Sequence, residues 1–166
     1  MKRRLALLTL TTLAAVAIIG VVWTAPSPAF AGGATQISGD ASFDAAEAPV
    51  CAPVPGYEYA LVMTGDFEGC LYTHVKTAES SPSGTYRETG TELFVASEGA
   101  GSFETTYRVE AKFEDVANLA GTIFERCQHP IVRGSGTGIY EGVSGELFFK
   151  DDVETGEYPY RGHLRY

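Results

Sequence analysis

The sequence is poor in positive charge and in residues that hold metals. It has 12 Lys and Arg against 21 Asp and Glu, a formal net charge of −9. Such an acidic protein repels polyanions, which disfavours nucleic acids and anionic membranes as partners. It has three Cys and three His, with no Cys-x-x-Cys and no pair of His at ligand spacing. The sequence therefore predicts no metal site and no redox motif.

Helical periodicity and common enzyme signatures are also missing after residue 31. The absence of Gly-x-Ser-x-Gly disfavours an α/β-hydrolase. The glycine-rich stretch Gly134–Gly145 has neither the spacing of a dinucleotide fingerprint nor the lysine of a phosphate loop. We interpret its glycines as tight corners between strands. No cofactor is predicted.

A long apolar run lies at the N-terminus. Lys2–Arg4 precedes the uncharged run Leu5–Trp23, and Ala29-Phe30-Ala31 has the small-x-small pattern of a cleavage site. Residues 1–31 are predicted to be a secretory signal peptide, with an uncleaved membrane anchor as the alternative. Cleavage would remove three positive charges and leave 135 residues with a net charge of −12. The sequence thus predicts one secreted domain with no membrane contact after cleavage.

Export makes a disulfide plausible, and three cysteines allow at most one within the chain. Cys70 and Cys127 lie in strand-like segments, whereas Cys51 lies in a segment rich in Pro and Ala. We therefore expect a Cys70–Cys127 bridge, with Cys51–Cys70 as the next choice.

The remaining chain consists of strand-like runs separated by turns. Residues 32–56 are rich in Gly, Ala and Pro and are expected to be a flexible lead-in, so the domain is placed at residues 57–166. Seven long runs with short turns predict an all-β, single antiparallel up-and-down barrel. About eight strands are expected, the eighth coming from the lead-in or from a bend in one run. Such a barrel has an interior just wide enough for a small ligand.

The last forty residues carry a family resemblance. Arg126–Val132, Gly136–Gly145, Phe148–Asp152 and Tyr160–His163 resemble the allene oxide cyclase-like barrel group, which includes plant allene oxide cyclases and dirigent proteins. The resemblance implies a barrel whose activity, where there is one, is cofactor-independent isomerisation, cyclisation or stereochemical guidance. It also implies that a dimer or trimer is an option. No catalytic residue is carried over, because the plant enzyme's residues do not map onto this chain.

Candidate site residues follow from strand alternation. If Cys70 and Cys127 are bonded, their faces share one side of the sheet, and carboxyl and imidazole groups meet there as candidates for acid–base catalysis. In the alternative, Leu71, Thr73 and Val75 point inward and the polar residues face solvent. The catalytic candidates are Glu125, His129, His74 and Tyr72; the ligand-binding candidates are Tyr72, Tyr107, Phe103, Val109 and Arg161; further inward polar candidates are Glu88, Glu92, Arg161 and His163.

Three functions remain open. The favoured one is a secreted barrel that binds a small apolar molecule in its interior. The alternatives are a cofactor-independent isomerase or cyclase that uses the same pocket, and a filled barrel that acts only as an interaction protein. An acidic turn at Asp151, Asp152 and Glu154 is interpreted as solvated rather than as a calcium site.

Overall fold

The computed structural model describes residues 33–45, 49–152 and 155–166. Within them, eight strands form a closed barrel in which each strand pairs antiparallel with its sequence neighbours and β1 closes against β8. The prediction of an all-β, up-and-down barrel of about eight strands is confirmed. The strands are β1 Thr35–Phe43, β2 Tyr59–Gly65, β3 Gly69–Ser80, β4 Thr85–Ala96, β5 Ser102–Asp115, β6 Ala120–Pro130, β7 Ser144–Phe149 and β8 Tyr160–Arg165.

The eighth strand comes from the predicted lead-in, so the boundary at residue 57 is wrong. Strand β1 pairs with β2 and β8 and is an integral part of the wall. Its small residues hid it from sequence reasoning, but they have a packing role. A Cβ at Gly39 would lie 2.4 Å from the hydroxyl oxygen of Tyr160, so the glycine makes room for that ring. The predicted signal peptide lies outside the described residues.

One end of the barrel is filled with aromatic side chains. Phe94 and Phe103 are 0% and 1% exposed, and their ring centroids are 5.0 Å apart. Phe67, from the β2–β3 turn, packs on both at 5.0 and 5.4 Å. Burial of one such side chain contributes roughly 1.5–3 kcal/mol, so this packed end is a main source of stability.

The glycine-rich stretch closes the packed end. It contains the single helical turn Gly138–Tyr140, which places the Tyr140 ring 5.2 Å from Phe103. A Cβ at Gly136 would lie 1.9 Å from the Tyr140 carbonyl oxygen, which requires glycine there. The segment predicted to be a connection between strands therefore also covers the packed end of the barrel. The other described helix is the turn Ser97–Gly99, and no described helix has the length and apolar character to span a membrane.

The disulfide lies on the outside of the wall and joins Cys51 to Cys70, which corrects the expected Cys70–Cys127 bridge. Cys70 points outward from β3 and Cys127 points inward from β6, where it is a buried free thiol. The two thiols are thus on opposite faces of the sheet and cannot meet. The second choice, Cys51–Cys70, is the pairing that forms, and it ties the segment after β1 to the outer face of β3.

Candidate functional site

A buried pair of side chains, His129 and Glu92, crosses the middle of the barrel. His129 Nδ1 of β6 lies 2.6 Å from Glu92 Oε2 of β4, and the two side chains are 6% and 4% exposed. Strand register builds its surroundings, because Thr73 of β3 and Thr105 of β5 are the partners of Glu92 on either side. Thr105 Oγ1 donates a 2.6 Å hydrogen bond to Oε2, and Thr73 Oγ1 lies 3.5 Å from Oε1. The carboxylate is thereby held in one orientation.

Cys127 contacts the second nitrogen of the same imidazole. Its Sγ lies 2.8 Å from His129 Nε2, since residues two apart on a strand share a face. The imidazole is enclosed by Phe149 at 4.5 Å and by a stacked Tyr107 ring at 5.9 Å. Thiol, imidazole and carboxylate therefore form a continuous hydrogen-bonded row from Cys127 through His129 to Glu92.

A pair of carboxyl groups lies beside this row. Glu125 and Asp151 are hydrogen-bonded to each other, and Asp151 also hydrogen-bonds the Cys127 thiol. Burial, together with the charge of Asp151, raises the pKa of Glu125 to about 9. Burial also raises the pKa of Asp151. Because two adjacent carboxylates repel each other, the pair retains a proton at neutral pH.

The same burial keeps the thiol protonated at rest. It raises the pKa of Cys127 well above its ordinary value, and the carboxyl groups of Asp151, Glu92 and Glu125 raise it further when they are ionised. The resting side chain is thus a thiol rather than a thiolate.

A second cluster of polar side chains is centred on Glu88. It lies toward the end of the barrel away from Phe94 and Phe103, which is called the open end below. Tyr107 donates a 2.6 Å hydrogen bond to Glu88 Oε1, and Tyr86 donates to Oε2. Burial and this carboxylate raise the pKa of Tyr107, so its hydroxyl stays a donor. Gly90 makes the arrangement possible, since a Cβ there would lie 2.4 Å from Tyr107 Cε1 and 2.1 Å from the His74 carbonyl oxygen.

A cavity of about 60 Å³ lies above the His129–Glu92 pair, with room for a few water-sized molecules. At the mouth, the Phe43 ring makes edge contacts with Tyr59 at 5.3 Å and with Tyr158 at 5.2 Å. Phe43 is 52% exposed, so the mouth is bordered by a side chain with space to move. The lining combines these aromatic rings with Leu61, Thr73, Glu88, Glu92, Tyr107, Val109, Cys127, His129, Phe149 and Asp151.

The structure separates the residues predicted from sequence. Glu125, His129, Tyr107 and Val109 lie at the open end, and Phe103 belongs to the packed end. Glu88 and Glu92 point inward, in agreement with their place among the inward polar candidates. The expected meeting of Tyr72 and His74 with Glu125 and His129 does not occur, because β3 presents the former pair on its outer face.

Four predicted residues thus lie outside the wall. His74 pairs with the exposed Glu58 at 3.1 Å, and Tyr72 is covered by Tyr57 of the disulfide-linked segment, with rings 6.1 Å apart. Arg161 is exposed and lies between the inward-facing Tyr160 and Gly162 on β8. His163 is outward by the same alternation.

Sequence reasoning missed Thr73, Thr105 and Asp151 as parts of this site, and assigned Cys127 to a disulfide. The alternation of β5 shows that Thr105 shares a face with Phe103, so its inward position was available from the sequence. The register that aligns Thr73 and Thr105 with Glu92 was not. Among the described residues, no three His, Cys, Asp or Glu side chains are arranged as ligands of a metal ion.

Comparison of the chain with family models, with curated proteins and with solved structures found no match.

Proposed function

We propose that this protein is an exported barrel that binds a small molecule at its open end, with an apolar body against the mouth rings and a polar group toward His129. The observation that carries the proposal is the cavity, which has aromatic walls and the buried, hydrogen-bonded His129–Glu92 pair as its floor. Pockets that bind small molecules combine apolar walls with a few fixed polar groups in this way. The ligand is small and uncharged or cationic, because Glu88, Glu92 and Asp151 disfavour an anion.

Export is supported by two separate features. The N-terminal run has the pattern of a signal peptide, and the Cys51–Cys70 disulfide is of the kind that persists outside the cytosol. Membership of the allene oxide cyclase-like barrel group is likewise a proposal, supported by the barrel architecture and by the glycine segment at the position the resemblance implies.

Ligand-observed NMR with phenol, benzyl alcohol and 1-butanol tests the binding proposal. Val109 lines the cavity, and Val109→Phe would fill it. We expect saturation transfer from the native protein to at least one probe and its loss in the variant. Val95→Phe, on the outer face of β4, is the matched control and should retain binding. Equal transfer in both variants, or none from the native protein, would contradict an interior site.

A second candidate, a cofactor-independent isomerase, is favoured by the 2.6 Å contact between His129 and Glu92 beneath the cavity. A positioned imidazole can take a proton from one carbon of a bound molecule and return it to another. The test is conversion of a small β,γ-unsaturated ketone to its conjugated isomer. His129→Gln should remove the activity and the exposed His74→Gln should not. Activity that survives His129→Gln would reject this role.

A further inference from the structure

We propose that Cys127 is a peroxide-reactive thiol, with His129 as the base that takes its proton and Glu92 as the residue that positions His129. The inference rests on the proposed function in one respect, since it requires that small molecules enter the cavity. It goes further in naming a covalent step and a reactant class, the hydroperoxides of which hydrogen peroxide is the smallest.

The geometry is that of a nucleophile, a base and an orienting group. Cys127 Sγ lies 2.8 Å from His129 Nε2, and His129 Nδ1 lies 2.6 Å from Glu92 Oε2. Thr105 fixes the carboxylate, and the neighbouring rings fix the imidazole. Cys127 is 3% exposed, yet it lines the cavity, so a reactant would reach it from the barrel interior. Such a row is the recognisable signature of an activated nucleophile.

The surroundings favour peroxide over acyl substrates. Acyl transfer needs donors for an oxyanion, usually backbone N–H groups. Here β6 is paired with β5 and β7 on either side of Cys127, so its backbone groups serve the ladder. The facing carboxyl groups of Glu92, Glu125 and Asp151 would also destabilise an oxyanion. Peroxide reduction leaves no lasting anion if the departing oxygen is protonated. The cavity volume of about 60 Å³ also suits a reactant of a few atoms.

The step balances within the site. As Sγ attacks one peroxide oxygen, its proton passes to His129 Nε2, the S–O bond forms and the O–O bond breaks. The leaving oxygen takes the electron pair of that bond and the proton from His129. Thiol and hydrogen peroxide thus become sulfenic acid and water; the sulfur is oxidised by two electrons and the peroxide is reduced.

The product has no partner thiol in this chain. The sequence has three cysteines, and the other two form the bridge on the outer face of the wall. The sulfenic acid therefore persists until an external thiol reduces it, which makes it measurable.

The test is the rate of Cys127 oxidation by hydrogen peroxide, followed by intact mass as the gain of one oxygen and by a sulfenic-acid trap added with denaturant. Because a positioned base contributes about 100-fold or more, native protein near neutral pH should react at least about tenfold faster than the same protein unfolded in urea. The native rate should also rise less with pH than that of an exposed thiol, whose pKa is about 8.5. This comparison needs no variant to fold.

His129→Gln should slow native oxidation by about 100-fold, while His74→Gln, the matched change outside the wall, should leave it unchanged. Cys127→Ser reports oxidation elsewhere, such as at Met63, and should give no trap adduct. A native rate at or below the unfolded rate would overturn the proposal and leave Cys127 as a buried packing residue. Probe binding by Cys127→Ser in the NMR experiment would show that this failure leaves the binding proposal standing.

Discussion

The two ends of the barrel are built from the same strands and differ in what the register brings together. At the packed end, Phe94 of β4 lies opposite Leu71 on one side and Phe103 on the other. Two residues earlier on the same face, Glu92 lies between Thr73 and Thr105. Moving two residues along the inner face of β4, from Phe94 to Glu92, thus changes the interior from a close-packed aromatic core to a hydrogen-bonded polar site.

The difference separates stability from function. The packed end is closed by Tyr140 and excludes solvent, and its buried apolar area drives folding. The open end keeps buried polar groups that add little net stability but cost much if one partner is lost. Substitutions at the two ends should therefore act on different measurements.

The largest expected effect is at the packed end. Phe94→Ala leaves a cavity among rings that cannot collapse onto it, and should lower the free energy of unfolding by about 3–5 kcal/mol. Phe43→Ala, at the open mouth where the ring is half exposed, should cost about 1 kcal/mol or less. Urea denaturation of both variants measures the difference. Equal losses would mean that the two ends are not distinct in packing.

The buried His129–Glu92 pair gives the next effect. His129→Leu leaves the Glu92 carboxylate buried with only hydroxyl partners, and should cost about 3–5 kcal/mol near neutral pH. Glu92→Leu combined with His129→Leu removes both polar groups and should recover most of that loss. The comparison is a double-mutant cycle in urea. If the double variant is no more stable than His129→Leu alone, the interior is stabilised by shape rather than by the pairing of His129 with Glu92.

Stability should also depend on pH through the carboxyl pair. The pKa of Glu125 is about 9 in the folded protein against an ordinary 4.5, so the folded state binds the proton more tightly. Its stabilisation is present below pH 4.5 and is lost as the pH rises toward 9. We expect the free energy of unfolding to fall by roughly 1–3 kcal/mol over this interval.

Glu125→Gln mimics the protonated acid and should flatten this decline, as measured by thermal unfolding between pH 5 and about 9. The exposed Glu141→Gln serves as control and should leave the slope as it is. A slope that Glu125→Gln does not change would place the responsible group elsewhere.

The smallest effect compares two tyrosine hydroxyl groups. Tyr160 OH accepts a 2.9 Å hydrogen bond from the buried Phe67 N–H, so Tyr160→Phe leaves that donor unsatisfied and should cost about 1–3 kcal/mol. In Tyr107→Phe, Glu88 keeps its bond from Tyr86, and the loss should be about 1 kcal/mol or less. Denaturation midpoints rank the two, and the reverse order would contradict the division between the ends.

Alternation made the barrel predictable from sequence, as in Phe103–Phe113, where every second residue except Thr105 is apolar. The same rule failed for β1, because two of its inward residues, Gly39 and Ala41, are too small to continue the apolar pattern that begins at Ile37. Gly39 is needed in this strand because the Tyr160 ring packs against it, and that contact is visible only in the folded structure.

The site was predictable in part. Alternation correctly groups Glu125, Cys127 and His129 on one face, but it does not say whether that face is inside. The expected Cys70–Cys127 bridge linked this face to the outward face of β3 and so drew Tyr72 and His74 into the wrong group. The pairing of Glu92 with His129 joins strands β4 and β6, which lie on either side of β5, and such contacts depend on register and curvature that one strand's pattern does not contain.

The positions of the three cysteines have a consequence for oxidative folding. Strand pleating sorts the thiols, with Cys51 and Cys70 outside the wall and Cys127 within it. Once the barrel has closed, Cys127 can exchange with the Cys51–Cys70 disulfide only if β6 reverses which of its faces points inward. The native pairing is therefore protected by geometry rather than by low reactivity of the thiol. Any mispaired chain must therefore have been oxidised before closure, and the order of closure and oxidation decides which chains reach the native state.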